Sequence, residues 1–339
     1  MLEHRFTKLV AFATFALLVI GGTVNPTGSS LACPEPTFVC HGELFPAMVG
    51  GVFYEHGHRL AAMTVGLLQI ALTMFLLVER PRLAMLWLVF APHRLAREIR
   101  RSRSPHKRLA WLLLAMVIAQ GTLGAITVKY LLPWYVSTAH LMVAMSYFAT
   151  LIYTAFLTRP EPSVVELEQH ARRRAELGTA RNWIVVAVVA VFLQLLFGAL
   201  VRHHGAALVC LGMPSCTIGG DWWPDAAVQQ LHMVHRGFGV AVGVVTTIAA
   251  IRVWRAANSW PEIRVLALIA PLVVAGQIAL GILTVLTMRS VPIAVGHFAG
   301  AAALWAVWTS AWFATRDRAR KPAIADTRPF RRGVAVRAA

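Results

Sequence analysis

Eight apolar runs, each long enough to cross a bilayer, dominate this chain: roughly residues 8 to 24, 52 to 78, 109 to 128, 135 to 157, 182 to 201, 229 to 251, 263 to 288 and 293 to 314. A run of about 20 such residues spans the hydrocarbon core as a helix, because lipid offers the backbone no partners and a helix satisfies its own polar groups. Composition agrees. Of the 339 residues 58% are hydrophobic and only 14% are charged, against about 25% charged in a soluble domain. The sequence predicts an all-α integral membrane protein of eight transmembrane helices.

The formal charge of +17 is strongly basic, so its placement matters. Residues 79 to 108 carry nine Lys/Arg, 159 to 181 five, 252 to 264 three and the tail from 315 eight. On the opposite side, residues 25 to 51 have none, and the three later connections have one each: Lys129, Arg202 and Arg289. By the positive-inside rule both termini are cytoplasmic. The excess charge then reports topology and contact with the membrane surface, and no nucleic-acid motif accompanies it. LAMLWLVFAPHRLAREIRR in the first basic loop is too short to span and predicts an interfacial helix. HRFTK before an apolar stretch and LAC after it also resemble a cleaved signal peptide.

An internal repeat argues for retaining that first helix. Gln120 opens QGTLGAITV and Gln277 opens QIALGILTV, and His140 and His297 each follow their Gln by 20 residues. Cys33 precedes His58 by 25 residues and Cys210 precedes His235 by 25. Gly28 and Gly205 each lie five before their cysteine, and both histidines are followed by Arg. Two four-helix bundles are expected, at 1–158 and 182–314, joined by a cytoplasmic linker at 159–181 and followed by a basic tail at 315–339.

Of 13 histidines only His58, His140, His235 and His297 recur in repeat register, each near one end of an even-numbered span. Ionisable side chains inside a membrane helix are costly and default to function. Two imidazoles on facing helices with apolar walls between them make a bis-His haem site. A lone membrane histidine is more often an interhelical hydrogen bonder, but four at matched depth favour ligation. Zinc fits poorly without carboxylate or thiolate ligands in both halves.

Within YEHGHR, Glu55 and His58 are at i and i+3 on one helix face, whereas the second half has His232 and His235. A carboxylate in one half only suggests that one site does chemistry and the other supplies electrons; alternatively Glu55 pairs with Arg59 at i+4. Arg59 and Arg236, beside ligand histidines, are candidates to hold haem propionates bidentately, or else to snorkel to headgroups. Cys33 and Cys40 share one loop, Cys210 and Cys216 another. Four cysteines allow three pairings; pairing within each loop is simplest, in a compartment that permits disulfides.

The order GGTVNPTGSSLACPEPTFVCHG, YEHGHR, LLPWYVSTAHL, GALVRHHGAALVC, QLHMVHR and AVGHF resembles the haem A synthase family over nearly the whole chain. The resemblance implies conversion of the carbon-8 methyl of haem O into a formyl group by successive hydroxylations. It implies that His58 and His140 frame the substrate haem, that His235 and His297 ligate a haem B cofactor, and that Glu55 is the essential acid. It also implies haem O synthase and terminal oxidase assembly as partners in a plasma membrane, with histidine sites toward the exoplasmic side, and admits a homo-oligomer. The chain departs from the family pattern at Asn25, where an Arg is usual, and in PEPTFV, where a Trp is usual between the cysteines; the second half keeps Arg202. A dihaem b-type membrane cytochrome that only transfers electrons is the alternative.

Overall fold

The computed structural model describes residues 2–78, 81–160 and 163–316; most of the expected basic tail, residues 317–339, lies outside them. Eight helices are long and apolar enough to cross a membrane: α1 (Leu2–Val24), α2 (Gly50–Leu77), α5 (Lys107–Lys129), α6 (Trp134–Leu157), α8 (Ala180–His203), α9 (Ala227–Ala256), α10 (Pro261–Leu286) and α11 (Val291–Ala314). Each covers one apolar run of the sequence. No strand occurs among the described residues, so the fold is all-α.

Three shorter helices complete the chain. The expected interfacial segment is two helices, α3 (Pro81–Phe90) and α4 (Pro92–Arg101). The break falls at Ala91, with φ −152° and ψ 60°; Pro92 has no N–H to continue a helix and disfavours α backbone at the residue before it. The linker between the bundles is itself largely helical, α7 (Val164–Leu177). A capping box starts it: Glu166 N–H donates to Ser163 Oγ at 3.2 Å and Ser163 N–H to Glu166 Oε2 at 2.7 Å. Gly178 at φ +46° ends it, a left-handed stop that glycine adopts without a Cβ penalty.

Packing closes two rings. α1 lies on α2 and α6, and α5 lies on α2 and α6; α8 lies on α9 and α11, and α10 lies on α9 and α11. The N-terminal and C-terminal halves meet along α6, α8, α11 and α1, where the Trp305 indole donates to the Met145 carbonyl at 2.9 Å. Helices α5 and α10 end alike. Leu131 and Leu132 take φ +57° and +65°, Met288 and Arg289 +49° and +62°, so the N–H of Leu132 reaches back to Thr127 O and that of Arg289 to Thr284 O.

The two largest buried apolar clusters lie toward one end of the molecule. Val10, Leu72, Leu76, Ala110, Leu113 and Leu151 make one. Ile184, Val191, Val253, Ile263, Trp305 and Trp308 belong to the other. Near the opposite end, bearing the two cysteine loops, the large side chains are mostly only partly covered. Interiors normally pack to crystal-like density, and this end carries few of the large fully buried side chains.

Candidate functional site

Two disulfides close the loops as expected, Cys33–Cys40 and Cys210–Cys216, with Cα–Cα distances of 4.8 and 4.3 Å. An arginine from the helix below each loop locks it down. Arg59 donates through Nη1 to the carbonyls of Glu35 at 2.6 Å, Thr37 at 2.9 Å and Val39 at 3.0 Å, and through Nη2 to the Cys33 carbonyl at 2.9 Å. Arg236 donates through Nη1 to the carbonyls of Gly212 at 2.8 Å and Ser215 at 3.0 Å, and through Nη2 to that of Cys210 at 2.6 Å. These guanidinium groups, expected to hold propionates, have another occupation: a tight loop turns several carbonyls inward, and one planar five-donor group satisfies them together.

Glu55 is 4% exposed and held at both oxygens. Oε1 pairs with Arg59 Nη2 at 2.6 Å; Oε2 accepts the Cys33 N–H at 2.9 Å. The i+4 pairing is therefore real, and the carboxylate also ties the disulfide loop to the helix that carries His58. In the C-terminal half the same place holds His232, buried at 5% exposure.

The structure brings the four histidines together in pairs. His58 of α2 and His140 of α6 lie within electrostatic reach of one another, as do His235 of α9 and His297 of α11. Each ring rests on a glycine of a neighbouring helix. A Cβ at Gly21 would stand 2.8 Å from Cε1 of His58, at Gly124 3.4 Å from that of His140, at Gly198 3.2 Å from that of His235 and at Gly281 3.3 Å from that of His297. At Gly21 a Cβ would force movement, at Gly198 and Gly281 the ring would have to give by a few tenths of an ångström, and at Gly124 a methyl would stand in ordinary contact.

This geometry tests whether haem suits the residues. Nδ1 of His58, His140 and His297 is buried without a hydrogen-bond partner, yet each residue is half-buried. With Nδ1 enclosed and Cε1 against glycine, the open edge of the ring carries Nε2 and Cδ2. Two open Nε2 edges on facing helices, at a loosely filled bundle end, are what axial ligation of a porphyrin iron requires. The donor set fits.

Several contributors escaped the sequence reading. Gln194 Nε2 lies 3.1 Å from both Nδ1 and the carbonyl of His235, and its Oε1 is buried without a partner. The amide N–H group donates to the His235 carbonyl and meets the ring nitrogen beside it, so Gln194 fixes where that histidine stands on α9. His56 is fully buried with Nε2 2.9 Å from the Leu44 carbonyl, and lies against Cys33 and Cys40; with both thiols in a disulfide, that trio lacks the thiolates a metal needs. His203 Nδ1 is 3.1 Å from Thr138 Oγ1, linking α8 to the helix of His140. The glycine seats did leave a signal, since Gly21 precedes Cys33 by 12 residues and Gly198 precedes Cys210 by 12.

The model of the COX15-CtaA family, described as a cytochrome oxidase assembly protein, matches residues 48–309. A "Heme A synthase" of Exiguobacterium sibiricum is 27% identical over 236 residues, covering 68% of this chain and 69% of its own. One of Bacillus licheniformis is 23% identical over 293 residues, covering 85% and 88%. Another, of Caulobacter sp., is 27% identical over 366 aligned positions, covering 93% and 95%.

Proposed function

The chain belongs to the COX15-CtaA family of cytochrome oxidase assembly proteins, and from that membership we propose that it oxidises the carbon-8 methyl of haem O to a formyl group, giving haem A. The two bundles are read as a duplication in a plasma membrane, with both termini cytoplasmic and the disulfide loops exoplasmic, working beside haem O synthase and the assembling terminal oxidase. One observation carries the assignment of chemistry to the N-terminal half: the buried carboxylate of Glu55 stands one turn from His58 on α2, whereas the matching place on α9 is His232.

His58 and His140 frame the substrate haem through their open Nε2 edges, and the glycine seats fix the ring planes. Oxidising a methyl group to a formyl group removes electrons and protons and adds oxygen. Glu55 takes or returns those protons beside the reacting edge, general acid–base work of the kind worth about 10²- to 10⁴-fold in rate. Arg59 holds Glu55 in place and keeps the loop closed over it, excluding water and competing reactions. His235 and His297 hold a resident haem B, with Gln194 orienting His235. That cofactor, when bound, supplies a one-electron relay.

Extraction of haems from cells that make haem O and this chain tests the reading directly. Haem A, absent without the chain, is the expected product. Unchanged haem O with a bis-His spectrum in the purified protein would identify it as an electron-transferring dihaem cytochrome instead.

A further inference from the structure

Arg59 and Arg236 direct most of their donors to the loop carbonyls, with Arg236 Nε buried and unpartnered, so other cations beside the sites become candidates for the acidic edge of a porphyrin. The repeat shows where the imbalance lies. Asn25 and Arg202 each stand eight residues before the first cysteine of their loop, and Leu132 and Arg289 are the matching left-handed residues that end α5 and α10. Both cationic members of these pairs belong to the C-terminal half, yet both reach into the N-terminal one. Arg202 Nη2 points to the carbonyls of Gly21 and Gly22, each at a long 3.4 Å. Its guanidinium lies 5.4 Å from the centre of the Phe298 ring. Arg289 Nη1 points to Asn25 Oδ1 at 3.4 Å.

These contacts leave charge unanswered. Arg202 Nε is buried without a partner, and among the described residues no carboxylate is within ion-pair distance of Arg202 or Arg289. Arg289 is instead the charge that acts on Arg202, and it is of the same sign. Burying a cation this way is costly unless an anion joins it. Arg202 also acts electrostatically on His58, whose ring sits on Gly21, while the charges acting on His235 are those of His297, His232 and Arg236. The unpaired cation therefore faces the N-terminal site.

We propose that Arg202 and Arg289 form a carboxylate clamp, supplied by the C-terminal half, that docks the propionates of the porphyrin framed by His58 and His140. The proposal rests on the reading of that site given above. Two guanidinium groups match the two carboxylates of one porphyrin, and planar forked donors suit carboxylate oxygens. The clamp makes the N-terminal site incomplete without the other bundle.

The test titrates the purified full chain, carrying its resident haem in a neutral detergent, with iron protoporphyrin IX and separately with its dimethyl ester, followed by absorption. The wild type should bind the free acid about 10- to 100-fold more tightly than the ester, the range expected for charge-assisted hydrogen bonds. Arg202→Gln should collapse that preference to about threefold or less by weakening only the acid; Arg202→Lys should keep most of it, and Arg289→Gln should reduce it partly. An undiminished preference in both Gln variants overturns the clamp, and leaves Arg202 as a cap on the last carbonyls of α1 or a contact for lipid phosphate. If His58→Leu abolishes both titrations while Arg202→Gln changes neither, the site stands and the clamp falls. If His58→Leu changes neither, the site itself is misassigned.

Discussion

The two halves share a frame and differ in what fills it. In each, a disulfide loop is locked by an arginine from the helix below and two imidazoles rest on glycines. Glu55 in one half is matched by His232 in the other, and Leu17 by Gln194, the side chain that meets His235. One half thus has an anchored carboxylate beside its histidine pair; the other has His232 in that place and an amide against His235. The contrast teaches that both halves keep the same loop lock and glycine-seated histidines, while a buried carboxylate stands beside them in only one.

Removing ligands should break the comparison most sharply. His235→Leu and His297→Leu each delete an axial nitrogen without adding charge, so the low-spin bis-His spectrum of the resident haem should disappear. His58→Leu and His140→Leu should leave that spectrum in place and abolish haem A formation. Spectra of the purified variants, with haem extraction alongside, check both; identical outcomes from the two pairs would erase the distinction between the halves.

The loop locks separate the halves by a smaller margin. Arg236→Gln removes the guanidinium that donates to the carbonyls of the Cys210–Cys216 loop. Arg59→Gln does the same and also leaves Glu55 buried without its cation, so it should destabilise more, on the order of 3 kcal/mol. Thermal unfolding in detergent, compared between the two variants, reads the difference; a larger loss for Arg236→Gln would contradict it.

Spans and disulfide pairing were legible because each is written in local pattern: apolar length and loop spacing. What was not legible depends on how distant segments meet. Arg59 and Arg236 sit next to histidines in sequence, but only the folded loops reveal carbonyls converging on them. Gln194 and Arg289 have no repeat partner of their own kind, at Leu17 and Leu132, so nothing marked them out. Ala91 could have been read, since Pro92 removes an N–H and disfavours helical backbone at the residue before it.

The smallest expected effects belong to the glycine seats. Gly21→Ala places a methyl 2.8 Å from the His58 ring, a distance that forces movement, whereas Gly198→Ala stands at 3.2 Å from His235 and asks for a few tenths of an ångström. Overpacking of this kind costs about 1 to 3 kcal/mol, so Gly21→Ala should weaken porphyrin binding at the N-terminal site by about tenfold. Gly198→Ala should only perturb the resident haem spectrum. Titration and low-temperature spectra of the two variants rank the seats; equal tolerance would show that the His58 ring swings freely.

The central claim, that methyl oxidation depends on the carboxylate present in one half only, is tested most directly by Glu55→Gln. The amide keeps the shape of the side chain and can still accept the Cys33 N–H, but it cannot exchange protons. The measurement is the ratio of haem O, hydroxylated haem and haem A extracted from cells, normalised to protein. The account predicts retained haem binding and a fall in haem A of about 10²-fold or more, with partly oxidised haem accumulating. Wild-type proportions of haem A from Glu55→Gln protein would contradict it and reduce Glu55 to the partner of Arg59.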